Sequence, residues 1–189
     1  MKMINPNKYQ IKKYNIVRKI KLEYETQWYQ SLNATQSKSK NKGGNKLRTY
    51  NQMKQHFTLE PYLEHIDNII HRKSVTRIRL SSHPLNIESM RMNTPNPQDR
   101  ICHLCNTKEI EDEEHFIMNC AIYKFHRDDM LQSCLSICPN FTSLNNRAKF
   151  LYLLTNENKI ILKALGKFIC LSLETRQNKS KDTQNPVTV

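Results

Sequence analysis

Apolar and polar positions alternate at helical rather than strand spacing along almost the whole chain. From Pro6 to about Leu32, Tyr9, Tyr14, Val17, Ile20, Tyr24 and Trp28 recur every three to five residues with lysines between them, which predicts a basic amphipathic helix over 1–32. Residues 33–45 have almost no apolar side chain and end in Gly43-Gly44, the composition of a flexible linker. A second helix is expected from Lys46 to Phe57, with Leu47, Tyr50, Met53 and Phe57 on one face, and a third from about Glu60 to His71, with Pro61 in its first turn. Ser74 to Leu80 reads as a short helix capped by Ser74, although the alternation of Val75, Arg77 and Arg79 also suits a strand. Pro84, Pro95 and Pro97 predict an extended approach to Cys102 and Cys105. Helical periodicity returns from Ala121 to about Ile137 and from Asn145 to Thr175, with a break near Thr155 to Asn158, before a polar tail, 177–189, expected to be disordered.

The composition agrees with a mainly α fold. A chain of 189 residues with only 3 Gly and 38% hydrophobic residues favours long helices over a sheet built on tight glycine turns. The start lacks a secretory apolar run, and nowhere do eighteen apolar residues follow one another, so the chain is expected in the nucleus or cytoplasm. In such a reducing compartment the six cysteines are expected to be ligands or buried thiols rather than disulfides.

Charge adds a direction. The formal net charge is +13, and residues 1–80 carry 17 Lys and Arg against 5 Asp and Glu, while the remainder carries 13 against 12. A basic half of this kind attracts polyanions, nucleic acid ahead of an anionic membrane surface. The segment 46–98 is accordingly read as helical and basic. Arg72, Lys73, Arg77 and Arg79, with Arg100, are the candidates to hold phosphates of RNA or DNA. Phe116 and Tyr123 could stack on an unpaired base, but each reads more readily as core.

One cluster carries chemistry. Cys102 and Cys105 form a C-x2-C half-site, and His115 and Cys120 follow to give C-x2-C-x9-H-x4-C, an order and reach that suit one tetrahedral zinc ion in a CCHC knuckle over 99–127. Four protein ligands leave no place for a water, so the ion is expected to be structural. The plainer alternative is a pair of exposed thiols with His115 capped on a helix. His103 sits beside Cys102 and should point away. Three thiolates and the acids Glu109, Glu111, Asp112, Glu113 and Glu114 require compensation, for which Arg100, Lys108, Lys124 and Arg127 are nearest in sequence. Over 128–176, a pair of C-terminal helices is expected. Cys134, Cys138 and Cys170 read as small core residues, and Asp128 and Asp129 as a solvated face. No glycine loop for phosphate and no catalytic constellation is found, so the chain is not expected to be an enzyme.

Several segments together resemble a known family. They are Lys46-Leu-Arg-Thr-Tyr50, Leu59-Glu-Pro-Tyr-Leu63, Arg77-Ile-Arg-Leu-Ser-Ser-His83 with Leu85 and Glu88, Arg100-x-Cys102-x2-Cys105, Glu111-Asp-Glu-Glu-His-Phe116 and Cys120-x2-Tyr123-x3-Arg127. Their order is similar to the zinc-binding C-terminal region of reverse transcriptases encoded by animal non-LTR (LINE-like) retrotransposons. The likeness runs from about Lys46 to Arg127 and more loosely through Phe168 to Arg176. It implies that Cys102, Cys105, His115 and Cys120 are the ligands, and that the chain binds nucleic acid as such segments do during target-primed copying. It does not carry over polymerase or endonuclease activity, because neither the paired aspartates of the polymerase nor an endonuclease is present. On this reading the chain is a noncatalytic nucleic-acid-binding fragment. A zinc-stapled helical module for protein partners is the alternative.

Overall fold

The helical periodicity is realised as eight α-helices among the described residues. The structure, a computed structural model, describes residues 8–37 and 47–184. In chain order the helices are α1 (Lys8–Ser37), α2 (Tyr50–Met53), α3 (Pro61–His65), α4 (Ile69–Arg79), α5 (Asn86–Ser89), α6 (Lys124–Leu135), α7 (Asn146–Thr155) and α8 (Lys159–Gln184). No strand occurs among the described residues; one antiparallel bridge joins Ile101 and Ile110.

The fold is organised along α8. Its Ile161, Leu162, Leu165, Phe168 and Ile169 form a continuous buried stripe at helical spacing, and α4 and α6 pack along it. α6 contributes Met130 and Cys134, and α7 contributes Phe150, Leu153 and Leu154. Cys134 is thus the core thiol expected, while Cys138 and Cys170 are half-buried. Where α4 crosses α8, a Cβ on Gly166 would lie 3.1 Å from His71 Cβ, so the glycine permits this close approach. The expected break between the last two helices falls at Asn156–Asn158, where the Asn158 side chain accepts from the Ile160 N–H.

Several boundaries differ from expectation, each for a local reason. α1 continues to Ser37, through the first residues of the expected linker, and α8 continues to Gln184, into the expected disordered tail. The other residues of that linker, the last of that tail and the first seven residues lie outside the described residues. The helix expected from Lys46 to Phe57 is the single turn α2. Lys54 ends it in an extended conformation, and its buried ammonium pulls the chain round by donating to Thr58 O at 2.7 Å and pairing with Glu60 at 3.3 Å.

The helix expected from Glu60 to His71 is divided between α3 and α4, because Asn68 acts as a cap and accepts from the N–H groups of Ile70 and His71. Ser74 therefore caps nothing; it lies inside α4, which covers the segment expected to be separate, and its hydroxyl donates to Ile70 O. α4 ends with Ser81 in the left-handed region at φ 49, Ser82 N–H donating to Arg77 O at 2.8 Å and Ser81 N–H to Ile78 O at 3.2 Å.

The proline-bearing approach is not extended either. It folds back through α5 and a 3-10 turn, Pro97–Asp99, around the buried Arg100 guanidinium. That group donates to Thr94 O at 2.8 Å, Ile87 O at 2.7 Å and Pro95 O at 2.9 Å. Carbonyls that the prolines and turns leave without helical partners are satisfied by one side chain.

α1 touches the rest through its C-terminal end. Trp28 lies 5.8 Å from the Phe57 ring, Tyr29 Oη donates to Gln55 O at 3.3 Å, and Leu32 is buried. Tyr14, Val17, Ile20 and Tyr24 are exposed.

Candidate metal centre

Cys102, Cys105, His115 and Cys120 converge, with their ligand atoms all within 4.8 Å of one another. Three backbone features bring them together. The bridge at Ile101 and Ile110 closes a hairpin, with Cys102 N–H donating to Glu109 O at 2.8 Å, so Cys102 and Cys105 lie on one turn. Lys108 takes the left-handed conformation, φ 55, that the hairpin requires on its return. Asp112 then opens the next helical turn by accepting from the His115 N–H at 2.8 Å.

The third feature could not be read from the spacing. Five residues along an α-helix lie about 140° apart around its axis, which would point His115 and Cys120 in divergent directions. Here His115–Asn119 is a π-helical turn, closed by Cys120 N–H donating to His115 O at 2.8 Å. The wider turn returns the chain to one side after five residues. Arg127, on α6, locks its exit: Nε donates to Ile117 O at 2.7 Å and Nη2 to Cys120 O at 2.6 Å.

The cluster is almost enclosed, with Cys102, His115 and Cys120 buried and Cys105 half-buried, while His103 is exposed. His115 Nδ1 donates to Glu109 Oε2 at 2.7 Å, which leaves Nε2 facing the sulfurs, 3.4 Å from Cys105 Sγ. The Cys120 thiol hydrogen-bonds Cys102 and draws the Cys102 pKa down to about 3 against the effect of burial. Cys120 itself is pushed up by that hydrogen bond and by burial. Burial alone would lower His115; hydrogen bonds to Cys102 and Glu109, with the charges of Cys102 and Cys105, raise it instead to about 9. Three sulfurs and one imidazole directed at a common point are a donor set that could hold a metal ion, which would displace these protons.

The acidic run beside the cluster is partnered residue by residue. Glu109 holds His115, and Asp112 caps its turn. Glu111 receives Arg176 of α8 in a two-pronged pair at 2.8 Å and the Asn86 N–H at 2.8 Å. Glu113 receives Arg48 at 2.6 and 2.8 Å, Ser81 at 3.0 Å and His83 at 2.8 Å. Burial pushes the Glu113 carboxyl up, but the hydrogen bond from His83 and the Arg48 charge outweigh it and hold it at about 2. Glu114 pairs with Arg147 at 2.5 Å. Of the cations nearest in sequence, only Arg127 bonds to the cluster's own backbone; Lys124 pairs with Asp128, Lys108 is exposed, and Arg100 binds the carbonyls of Ile87, Thr94 and Pro95. The partners the sequence did not reveal, Arg48 and Arg176, each lie 65 residues from the glutamate they meet.

The residues expected to hold phosphates divide into two groups. Lys73 and Arg77 are exposed on α4, and Arg72 is half-exposed with Nη1 donating to Leu63 O. Arg79 and Arg100 are buried. Arg79 donates to Glu60 at 2.6 Å and to Leu154 O, with its guanidinium over the Tyr62 ring, so like Arg100 it serves the interior. Phe116 and Tyr123 are core residues, with ring centroids 4.8 Å apart and Phe116 5.8 Å from Phe168 of α8. No protein-family profile, curated protein or solved structure matches the chain. Among the described residues no helix is long and apolar enough to cross a membrane.

Proposed function

We propose that the chain is a noncatalytic nucleic-acid-binding module stapled by one structural zinc ion. The observation that carries the reading is the convergence of Cys102, Cys105, His115 and Cys120 within 4.8 Å. Zinc bonds of about 2.3 Å to sulfur define a tetrahedron with edges of about 3.8 Å, so a small contraction of the cluster would seat the ion in a CCHC knuckle. Thiolate donors favour zinc over hard cations, and four protein ligands leave no open position for a reacting water. Glu109 would orient the imidazole as carboxylates do around structural and catalytic zinc alike.

Nucleic acid is the partner class for which the charge argues. Salt bridges and carbonyl hydrogen bonds occupy the donors of the buried arginines, whereas Lys73 and Arg77 on α4, and Lys13, Arg18, Lys19 and Lys21 on α1, are exposed. The resemblance to the C-terminal zinc-binding region of non-LTR retrotransposon reverse transcriptases points the same way. Metal content by native mass spectrometry, with thermal unfolding in chelator, tests the staple. One zinc per chain is expected, lost in Cys105→Ser together with stability; zinc-free wild-type protein with no chelator effect would sink the reading. Salt-dependent binding of the zinc-loaded chain to labelled RNA or DNA tests the partner.

A second reading has its own observation. Ile66 and Ile160 line an open groove of about 490 Å³ between α4 and α8, near the exposed Ile69 and Ile70, which would suit a protein partner of a zinc-stapled helical surface. Charge reversal at Lys73 and Arg77 that leaves nucleic-acid affinity unchanged would favour it.

A further inference from the structure

Farther along the same pair of helices, α4 and the C-terminal half of α8 frame a second cleft of about 570 Å³. Arg77 and Pro84 line one wall, and Leu173, Glu174, Gln177 and Lys181 line the other. Arg176 lies at its back, already ion-paired with Glu111. Arg77 and Lys181 are exposed, and neither pairs with a carboxylate of the described residues. Lys73 precedes Arg77 by one helical turn and adds a further exposed charge along the same side of α4. Glu174 is the one acid in the lining, so the cleft is net cationic even with Arg176 neutralised.

We propose that this cleft takes the phosphodiester backbone of a single-stranded nucleic acid, with phosphates on Arg77 and Lys181. The inference rests on the nucleic-acid reading above and gives it a location. A cleft of this volume is of the order of one or two nucleotides. Two cations on opposite walls can grip successive phosphates, and Leu173 and Pro84 give each wall an apolar surface for sugar or base. Through Glu111, Arg176 joins this cleft to the hairpin that carries Cys102 and Cys105.

The test uses the full, zinc-loaded chain and fluorescein-labelled oligo-dT and oligo-rU of about 12 nucleotides, a length of one typical binding site. Binding is followed by anisotropy across a salt series. The double variant Arg77→Glu/Lys181→Glu should bind at least about tenfold more weakly and show a salt slope shallower by about 1.4, the loss of two single-strand phosphate contacts. The control Lys159→Glu/Lys167→Glu makes the same change in net charge on α8 at least 14 residues, about 21 Å, before Lys181, and should lose less than about threefold. Wild-type binding with equal losses in the two double variants, or with none in the first, overturns the cleft while leaving nucleic-acid binding intact. Failure of the wild type to bind either oligonucleotide overturns both. Should the first variant fold poorly, ultraviolet cross-linking of wild type decides. Adducts on peptides containing Arg77 or 173–181 support the cleft, and adducts confined to other segments overturn it. Comparison of the dT and rU arms identifies which nucleic acid the cleft prefers.

Discussion

α1 and α8 are the two long helices, 30 and 26 residues, and their situations are opposite. α8 buries five aliphatic and aromatic side chains in one stripe and is met by α4, α6, α3 and α7. On α1, Leu32 is the single buried side chain among those described, and Trp28, Tyr29 and Leu32 make contact with the body. Both segments place apolar residues at helical intervals, so the interval alone does not say which helix is core. The difference lies in where those residues fall around the axis. On α8 they share one face; on α1, Ile16, Leu22 and Tyr29 lie off the side that carries Val17, Tyr24 and Trp28. Such a distribution cannot bury all its members against one neighbour, and tyrosine tolerates water at its hydroxyl.

This contrast predicts a steep gradient of mutational cost. The largest effect should come from Phe168→Ala, which removes a fully buried ring packed on Phe116. A loss of about 3–5 kcal/mol is expected, lowering the melting temperature by roughly 10 °C in thermal unfolding; a loss comparable with that of an exposed α1 residue would break the comparison. Next comes Arg176→Met, which leaves Glu111, 1% exposed at its side chain, without its cation. About 3 kcal/mol should be lost, and adding Glu111→Gln should restore part of it, because the main penalty is the stranded charge. A double mutant no better than the single would show that the methionine itself fails to pack.

Trp28→Ala tests the docking of α1 on the body. The half-buried indole and its contact with Phe57 should contribute about 1 kcal/mol. Proteolysis should then cut α1 sooner while the body stays protected; equal protection of both helices would mean that the dock rests elsewhere. The smallest effect is expected from Tyr24→Ala, whose side chain is 63% exposed. A change within about 0.5 kcal/mol is expected, and a larger loss in the isolated chain would reveal a partner surface for α1, such as a second copy.

The Cys/His cluster repeats the lesson at shorter range. Its four members stand out in the sequence because thiols and imidazole at C-x2-C and H-x4-C separations are few in a chain with 6 Cys and 7 His. The π turn that lets His115 and Cys120 face one point leaves no such mark. It depends on Arg127 holding carbonyls that a regular helix would have used itself. The acids before His115 were visible as a charge in need of compensation, yet neighbours in sequence were the wrong place to look for most of it. Arg48 and Arg176 arrive from opposite ends of the chain.

The sequence by itself determined the helical character of the chain, the break before α8 and the identity of the converging Cys and His side chains. Each of these comes from spacing within a segment, where backbone geometry alone fixes which residues share a side. Only the tertiary structure decided which basic residues face water. Arg77 and Arg79 are two residues apart on one helix, and one is exposed while the other is buried against Glu60 and Leu154. A guanidinium goes inside where distant carboxylates and carbonyls are gathered to receive it, and that gathering is a property of packing between segments, which no local pattern records.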